Sequence, residues 1–400
     1  MEFPYSRLRR WPDVEADNLQ AHDVTDVLLV ERALAHGTPG EEIAVIGDEY
    51  GAITLALTAA GLTGIRVHQD LATGRRALVR NAAELGLDGF APRELDASLL
   101  ADARLVLLQL PKSLAELEEI ADAVSRWAAP EVVLVAGGRV KHMTLAQNEV
   151  LGRSFVRVQA ERAERKSRLV VASGPKEVPV DRPFPVRAEH DGLVLLAHGG
   201  AFAGARLDIG TRVLLDVLDR GAPQLRRNGA EQPQNRPLRQ DSGDPSGVVE
   251  GDPASRRQTV VDLGCGTGAL AVSYALAHPD ARVVATDRSA AAVASARATV
   301  TANGVGDRVT VTHDDAGSEL PDGSVDVVLL NPQFHLGARV HTGAATRLFE
   351  AAARLLRPGG ELFTVYNSSL GYRAELTRLV GPTEQRHRTP KFTVTHSIRR

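Results

Sequence analysis

VVDLGCGTG, residues 260–268, places a short apolar run directly before a turn that contains three glycines. Glycines in such a turn adopt left-handed backbone conformations and let a ligand approach where a Cβ would clash. The next β-branched run ends at Asp287, where a carboxylate can accept hydrogen bonds from both hydroxyls of a ribose. The stretch therefore predicts a strand, a ligand-binding turn and a helix that together bind a nucleoside-containing cofactor.

A second copy of this pattern lies 217 residues earlier in the chain. Gly47 and Gly51 stand at the places of the two outer glycines of the turn, and Asp70 stands at the place of the acid that follows it. Between them, Asp48, Glu49 and Tyr50 put acids and a bulky ring where the cofactor would pass. A carboxylate there would repel the carboxylate of a cofactor. We therefore predict a duplication in which the first copy is empty despite Asp70.

Both halves alternate short β-branched runs with longer amphipathic runs, which is typical of a parallel sheet covered by helices. The strands predicted in the second half are Thr259–Leu263, Arg282–Thr286, Val309–Thr312, Val325–Leu330 and Glu361–Tyr366. The helices predicted there are Ala269–Ala277, Ala290–Ala302 and Thr342–Leu356, the last ended by Pro358-Gly359-Gly360. The tail from Gln385 to Ile398 predicts a final antiparallel hairpin.

The length of 400 residues predicts two domains, or three. A cluster of prolines and glycines from Pro175 to Pro185 predicts the boundary, so that residues 1–180 form one domain and residues 181–400 the other. Residues 219–258 are rich in Pro, Gly and polar side chains and have almost no apolar periodicity. Ordered loops rarely exceed about 12 to 15 residues. We therefore expect a disordered insertion at 219–258 within the second domain.

Composition excludes several classes of protein. With 43% hydrophobic and 24% charged residues the chain folds, and its net charge of −3 neither requires nor excludes a nucleic-acid partner. The single cysteine, Cys265, cannot form an intramolecular disulfide, and no CxxC or HExxH pattern predicts a metal site. Met1–Asp13 lacks the apolar region of a secretory signal, and no apolar run approaches the roughly 20 residues of a membrane span. We expect a cytoplasmic protein with no membrane partner.

The sequence Asn331-Pro332-Gln333-Phe334 follows the fourth predicted strand of the second half. Pro332 disfavours the helical conformation at Asn331, so the side-chain amide of Asn331 and the carbonyl of Pro332 can face one point. Two acceptors at one point suit an exocyclic amino group, and Phe334 supplies a flat face for a base. A nicotinamide-binding fold would use the same ribose acid, but its glycines usually run GxGxxG.

These motifs resemble class I S-adenosylmethionine-dependent methyltransferases with the Asn-Pro-Pro-Phe/Tyr motif, and more narrowly the bacterial ribosomal RNA (guanine-N2) methyltransferases of the RlmG and RsmC types. His335 follows Phe334 as in that family's extended motif, FAGARLDIGTRVLL at 202–215 is similar to its entry segment, and Asn18–Ala21 resembles the start of the large-subunit type. The resemblance implies an α/β protein of two tandem Rossmann-like methyltransferase domains. The N-terminal copy would be degenerate, and the C-terminal copy would carry the final antiparallel hairpin.

The resemblance also implies S-adenosyl-L-methionine as cofactor, a guanine of ribosomal RNA as substrate, and a set of site residues. Residues at the methionine end of the cofactor would be Asp262, Gly264, Cys265, Gly266 and Gly268, with 208–211, including Asp208 and Thr211, as a lid. Asp287 would bind the ribose, and Asp315 or its neighbour Asp314 would lie near the adenine amino group. The catalytic residues would be Asn331, Pro332, Gln333 and Phe334, although Gln333 replaces the family's second proline.

Two basic clusters are candidates for contacts with RNA phosphates. One contains Arg153, Arg157, Arg162, Arg165, Lys166 and Arg168, and the other contains Arg386, Arg388, Lys391, Arg399 and Arg400. Each cluster could instead be a solvated charged face, and the insertion could instead be a charged arm that contacts RNA. The same chemistry could act on adenine N6 in nucleic acid or on a protein glutamine, and Gln333 leaves open a catalytically impaired RNA-binding scaffold. We expect a monomer.

Overall fold

The computed structural model describes residues 3–16, 18–225, 257–332 and 341–400, with the backbone alone for 220–225 and 341–344. Contacts between Cα atoms divide the chain into two compact units. The first comprises Met1–Arg206, Asp287–Thr299 and His313–Asp315. The second comprises Leu207–Thr286, Val300–Thr312 and Ala316–Arg400. The domain boundary at residue 180 stays a prediction.

The first half of the chain forms a seven-stranded sheet with helices between its strands. Its strands are β1 (Ile43–Ile46), β2 (Ile65–His68), β3 (Phe90–Pro92), β4 (Leu105–Gln109), β5 (Val133–Arg139), β6 (Phe155–Ala160) and β7 (Ser167–Pro175). Its helices are α1 (Val24–His36), α2 (Ala52–Ala59), α3 (Ala72–Leu85), α4 (Ala97–Leu100), α5 (Leu114–Trp127) and α6 (Leu145–Ser154). A separate antiparallel hairpin follows, formed by β8 (Val186–His190) and β9 (Leu193–Ala197).

The second half begins with helix α7 (Ile209–Leu225) and forms a second sheet of seven strands. These are β10 (Thr259–Leu263), β11 (Arg282–Asp287), β12 (Val309–His313), β13 (Val325–Leu330), β14 (Leu356–Asn367), β15 (Thr383–Arg388) and β16 (Phe392–Ile398). Its further helices are α8 (Ala269–Ala277), α9 (Ala290–Ala302), α10 (His341–Leu355) and α11 (Arg373–Leu379).

The two sheets have the same topology. The order is β3-β2-β1-β4-β5-β7-β6 in the first and β12-β11-β10-β13-β14-β16-β15 in the second. In both, the central strands pair in parallel and the last two strands add antiparallel pairs. The predicted α/β fold of two tandem Rossmann-like domains, the second with a final antiparallel hairpin, is therefore confirmed.

Burial explains why the central strands are predominantly apolar. Along β1, Ile43 and Val45 pack into one buried cluster, and Ala44 and Ile46 pack into another. Successive residues of a strand point to opposite faces, so these two clusters lie on the two faces of the sheet. A parallel sheet covered on both faces gives strands without polar alternation, as both halves of the sequence have.

Two local predictions need correction. Helix α10 ends at Leu355, and Pro358-Gly359-Gly360 lies within strand β14 rather than directly after the helix. Val325 of β13 pairs with Leu356, and Val327 pairs with Glu361. Two residues of β13 therefore advance against five of β14, and Pro358-Gly359-Gly360 lies in this irregular part of the ladder. Helix α7 extends to Leu225, past the predicted start of the insertion at 219, and residues 226–256 lie outside the described residues.

Candidate active site

The glycine turn after β10 has the conformation that the sequence predicts. Gly264, Gly266 and Gly268 have φ angles of 80°, 54° and 80°, a region that favours glycine. The backbone N–H groups of Gly264 and Cys265 both donate to the carbonyl of Thr286, at 2.9 and 3.0 Å. A Cβ added at Gly264 or Gly266 would meet no heavy atom of the described chain within 4 Å. The turn is thus tied to β11 and leaves room beside its backbone for a ligand.

Asp262 is the acid that precedes this turn, and the structure places its carboxylate against a helix. Its side chain is buried, and Oδ2 accepts a hydrogen bond of 3.0 Å from the backbone N–H of Ala271 in the first turn of α8. A carboxylate is favourable at that end of a helix. Asp262 therefore fixes α8 to the end of β10, and its predicted contact with the methionine part of a cofactor stays a prediction.

Asp287 ends β11, the strand that pairs in parallel with β10. Its side chain is 7% exposed, and Oδ1 accepts from the backbone N–H of Ser289 at 2.9 Å. Its carbonyl accepts from the backbone N–H of Asp314 at 3.0 Å. The predicted ribose acid and the predicted adenine pair, Asp314 and Asp315, are therefore joined in one local arrangement.

The Asp314 carboxylate is bound by the backbone of its neighbour and by a residue distant in sequence. Oδ1 of Asp314 accepts from the backbone N–H of Asp315 at 2.8 Å and from Nη2 of Arg76 at 2.7 Å. An arginine ion pair at a buried carboxylate commits that carboxylate to the protein. Which of the two carboxylates lies near the adenine amino group stays a prediction. Arg76 was not foreseen from the sequence, because 238 residues separate it from Asp314.

The catalytic candidate Asn331 contacts both named residues of the predicted lid. Its Nδ2 donates to Oδ2 of Asp208 and to Oγ1 of Thr211, each at 3.0 Å. The backbone N–H of Thr211 donates to the same Oδ2 at 3.1 Å. Only the nitrogen of an amide can donate to a carboxylate, so this arrangement fixes which way the amide points. The acceptor Oδ1 of Asn331 is directed away from Asp208 and Thr211.

The residues around Asn331 explain how α7 comes so close to the end of β13. A Cβ at Gly210 would lie 3.2 Å from the ring of Phe392 and 3.4 Å from Nδ2 of Asn331. Gly210 therefore permits a close approach that a larger residue would hinder. In the sequence, the glycine at the start of the amphipathic helix α7 was the signal that could have indicated this close approach. Pro332 is buried, whereas Gln333 and Phe334 lie outside the described residues and their roles stay predictions.

The first copy has the same backbone turn with different side chains. Gly47 and Gly51 have φ angles of 80° and 90°, and the N–H of Gly47 donates to the carbonyl of His68 at 3.0 Å. Asp48 is fully buried and accepts from the N–H groups of Ile53 and Thr54 at 3.2 and 2.7 Å. Burial raises the pKa of the Asp48 carboxyl. Asp48 turns into the start of α2, so repulsion of a cofactor carboxylate would have to come from Glu49, and that stays a prediction.

The basic cluster at 153–168 is partly neutralised by acids. Arg153 pairs with Glu118 at 2.7 Å, and Arg165 pairs with Glu164 at 3.0 Å. Within the described parts of the chain, the exposed side chains of Arg157, Arg162 and Lys166 make no ion pair. These three are the better candidates for phosphate contacts.

Neither a metal centre nor a membrane-spanning helix occurs among the described residues. They contain no group of three or more His, Cys, Asp or Glu side chains placed to hold a metal ion. They also contain no helix with the length and apolarity needed to span a bilayer.

The fold and the glycine turn together define a Rossmann-like methyltransferase. The family model for the RLMG N-terminal domain matches residues 2–176, and the model for the methyltransferase small domain matches residues 249–396. Ribosomal RNA large subunit methyltransferase G of Streptomyces avermitilis is 34% identical over 404 residues, covering 98% of this chain and 97% of that protein. The protein of the same name from Pseudomonas aeruginosa is 34% identical over 398 residues, with the same coverage. The chain belongs to the ribosomal RNA large subunit methyltransferase G family.

A solved structure shows the same fold over almost the whole chain. It is the T. thermophilus 16S rRNA N2 methyltransferase RsmC in complex with AdoMet and guanosine, with a TM-score of 0.71 and 20% identity. The likeness covers 95% of this chain and 92% of that one. It therefore extends over both sheets.

Proposed function

We propose that the protein transfers a methyl group from S-adenosyl-L-methionine to the N2 amino group of a guanine in ribosomal RNA. The names of its relatives and the ligands of the RsmC structure support this reaction. The observation that carries the proposal is the double hydrogen bond from Asn331 to Asp208 and Thr211. It presents a fixed oxygen acceptor at the carboxyl end of β13, where an amino group would bind.

The residues after β10 and β11 fit the proposed cofactor. Gly264 and Gly266 have the open space beside them that close passage of a ligand requires, and Asp287 supplies a carboxylate for the ribose hydroxyls. Asp315 would accept from the adenine amino group. When bound, S-adenosyl-L-methionine supplies a methyl group on a sulfonium whose leaving group is neutral.

The proposed role of Asn331 and Pro332 is orientation. Oδ1 of Asn331 and the carbonyl oxygen of Pro332 each accept one N–H of the guanine amino group. This leaves the lone pair of the nitrogen directed at the methyl group, and orientation of this kind accounts for a large part of the rate in two-substrate reactions. The proton that the methylated nitrogen loses passes to water after the transfer. The mechanism therefore needs no general base from the chain.

The RNA is proposed to bind through phosphates and through the extruded base. Arg157, Arg162 and Lys166 are exposed cations that can contact phosphates. Taking a base out of its stack costs a few kcal/mol, and stacking on Phe334, a role predicted from the sequence alone, would return about 1 to 3 kcal/mol.

The test is methyl transfer to ribosomal RNA from a strain that lacks the gene, followed by mapping of the modified nucleotide. We expect Asn331→Ala to lower the rate by on the order of a hundredfold, as loss of an oriented hydrogen-bonding group does elsewhere. Its affinity for S-adenosyl-L-methionine should stay close to that of the wild type. Asn367→Ala is the matched control, because Asn367 ends the neighbouring strand β14 and should not affect the rate.

Three results would contradict the proposal in different ways. An Asn331→Ala variant as fast as the wild type would refute the assigned acceptor. Methylation of adenine N6 or of a protein glutamine would refute the assigned substrate. A wild-type protein that binds S-adenosyl-L-methionine and ribosomal RNA but methylates neither guanine nor any other group would favour the scaffold alternative.

A further inference from the structure

Asp70 stands where a ribose acid stands in the second copy, yet its hydrogen bonds go to protein. Its Oδ1 accepts from Oγ of Ser289 at 3.1 Å and from the backbone N–H of Ala291 at 2.9 Å. Its carbonyl accepts from the backbone N–H of Ala290 at 2.9 Å. The N–H groups of Ala290 and Ala291 lie in the first turn of α9, where N–H groups have no acceptor within the helix. A carboxylate at that position is bound by charge-assisted hydrogen bonds. Asp70 thus caps a helix that lies 220 residues further along the chain.

Neighbours of Asp70 hold the same segment. The backbone N–H of Ala72 donates to the carbonyl of Arg288 at 2.7 Å. Nε2 of His313 lies 3.0 Å from the carbonyl oxygen of Asp70 and 2.8 Å from that of Arg288. The residues that follow β2 therefore bind both the loop after β11 and the end of β12.

Arg76 adds an ion pair one turn into α3. Its Nη2 lies 2.7 Å from Oδ1 of Asp314, whose side chain is 2% exposed. The short segment 70–76 consequently holds both loops that carry the adenosine-binding candidates. All of these residues belong to the first compact unit.

We infer that Asp70 and Arg76 are positioning residues for cofactor binding, acting through Asp287 and Asp315. Asp287 lies two residues before Ser289, whose hydroxyl donates to Asp70. Asp315 directly follows Asp314, whose carboxylate binds Arg76. A loop held in its binding conformation loses less entropy when the ligand binds, so fixing the loop raises affinity. In this interpretation Asp70, which occupies the ribose-acid position of the first copy, supports Asp287, the ribose acid of the second copy. The inference rests on the proposed function.

The first test replaces Asp70 by Asn, which keeps the shape and removes the charge. We expect the Kd for S-adenosyl-L-methionine, measured by titration calorimetry, to rise about three- to tenfold, because the amide oxygen of asparagine still accepts but a charge-assisted hydrogen bond becomes a neutral one. Asp96→Asn is the matched control. Asp96 caps α4 by accepting from the backbone N–H of Ser98 at 2.7 Å, and among the described residues no hydrogen bond joins its side chain to either loop. It should lower the melting temperature to a similar extent and leave the Kd unchanged.

A second variant keeps the inference testable if Asp70→Asn fails to fold. Arg76→Gln should raise the Kd about threefold, since it removes one ion pair to a buried carboxylate. Arg80→Gln is its control on the same helix. Arg80 pairs with Glu84 at 2.8 Å on the surface of α3, and its loss should leave the Kd unchanged.

A double variant distinguishes positioning from general stability. If Asp70 acts through Asp287, Asp70→Asn should weaken binding no further once Asp287→Ala is present, because the two residues act on one contact. Wild-type affinity in both Asp70→Asn and Arg76→Gln, or losses that multiply in the double variant, would overturn the inference. Failure of the wild type to bind S-adenosyl-L-methionine would instead refute the proposed function.

Discussion

The anchor of Asn331 can be tested by one near-isosteric substitution, Thr211→Val. Thr211 is 8% exposed, and its Oγ1 accepts a 3.0 Å hydrogen bond from Nδ2 of Asn331. Valine fills the same space with a methyl group and cannot accept. One N–H of Asn331 is then left unpaired in a largely buried position, while the bond to Asp208 remains.

The size of the effect follows from that single lost bond. An unpaired buried donor costs about 1 to 3 kcal/mol, and the remaining bond to Asp208 limits the cost to the lower part of that range. About 1 to 2 kcal/mol of lost orientation corresponds to a rate that is about 5- to 30-fold lower. The affinity for S-adenosyl-L-methionine should be unchanged, because in the proposed mechanism Thr211 acts on the amide of Asn331.

The assay is single-turnover transfer of labelled methyl groups to undermodified ribosomal RNA, with calorimetric Kd values and melting temperatures measured in parallel. Thr364→Val is the matched control. Thr364 is buried in β14, and within the described chain its Oγ1 has no hydrogen-bond partner, so valine should leave the rate unaltered. A Thr211→Val variant that transfers methyl as fast as the wild type would refute the anchor. One that loses cofactor affinity in proportion to its rate would place Thr211 on the cofactor instead.

Three further predictions concern stability and the catalytic motif. Burial and the charges of Asp70 and Glu119 raise the pKa of Glu116 from 4.5 to about 7. Between these two pKa values the folded state holds a proton that the unfolded state has released, so the free energy of unfolding should fall as the pH rises from about 4.5 to about 7. Melting curves between pH 5 and 8 should show this fall, and Glu116→Gln should make it smaller; the remainder is expected from Asp26, whose pKa burial raises to about 8. Gln333→Pro, which restores the family residue, should transfer methyl at least as fast as the wild type in the same assay, since proline fixes the backbone; inactivity of both would favour a scaffold. Replacing residues 226–256 by a short Gly-Ser linker should shift the melting temperature by no more than a few degrees, because that sequence has no apolar face to bury.

Local sequence patterns were sufficient for most of the second sheet. Strands β10 and β13 and helices α8 and α9 have the predicted bounds, because an apolar run feeding a glycine turn and a helix depends on neighbouring residues only. Pro358-Gly359-Gly360 misled the prediction of a helix stop. These residues also suit an irregularity within a strand, and only the pairing with β13 decides between the two.

The contacts within the site were less predictable than the motifs. The sequence singled out Asn331, Asp208 and Thr211 separately, but their hydrogen bonds join residues more than 100 positions apart. The capping of α9 by Asp70 and the ion pair of Arg76 with Asp314 are longer in range still. Such pairs depend on the path of the whole chain, and periodicity and spacing carry no information about that path.

The two glycine turns bind the helix that follows them through acids at different positions, so neither turn can be converted into the other by one substitution. Thr54 and Ala271 occupy matching positions at the starts of α2 and α8, yet Asp48 in the turn serves the first, and Asp262 on the strand serves the second. Val45 stands in the first copy where Asp262 stands in the second. Removing Asp48 alone would leave a helix start without its acceptor, and an aspartate at Val45 alone would set two buried carboxylates against one helix. Converting the first turn into the second therefore requires both substitutions together, and we expect each single substitution to lower the stability of the fold.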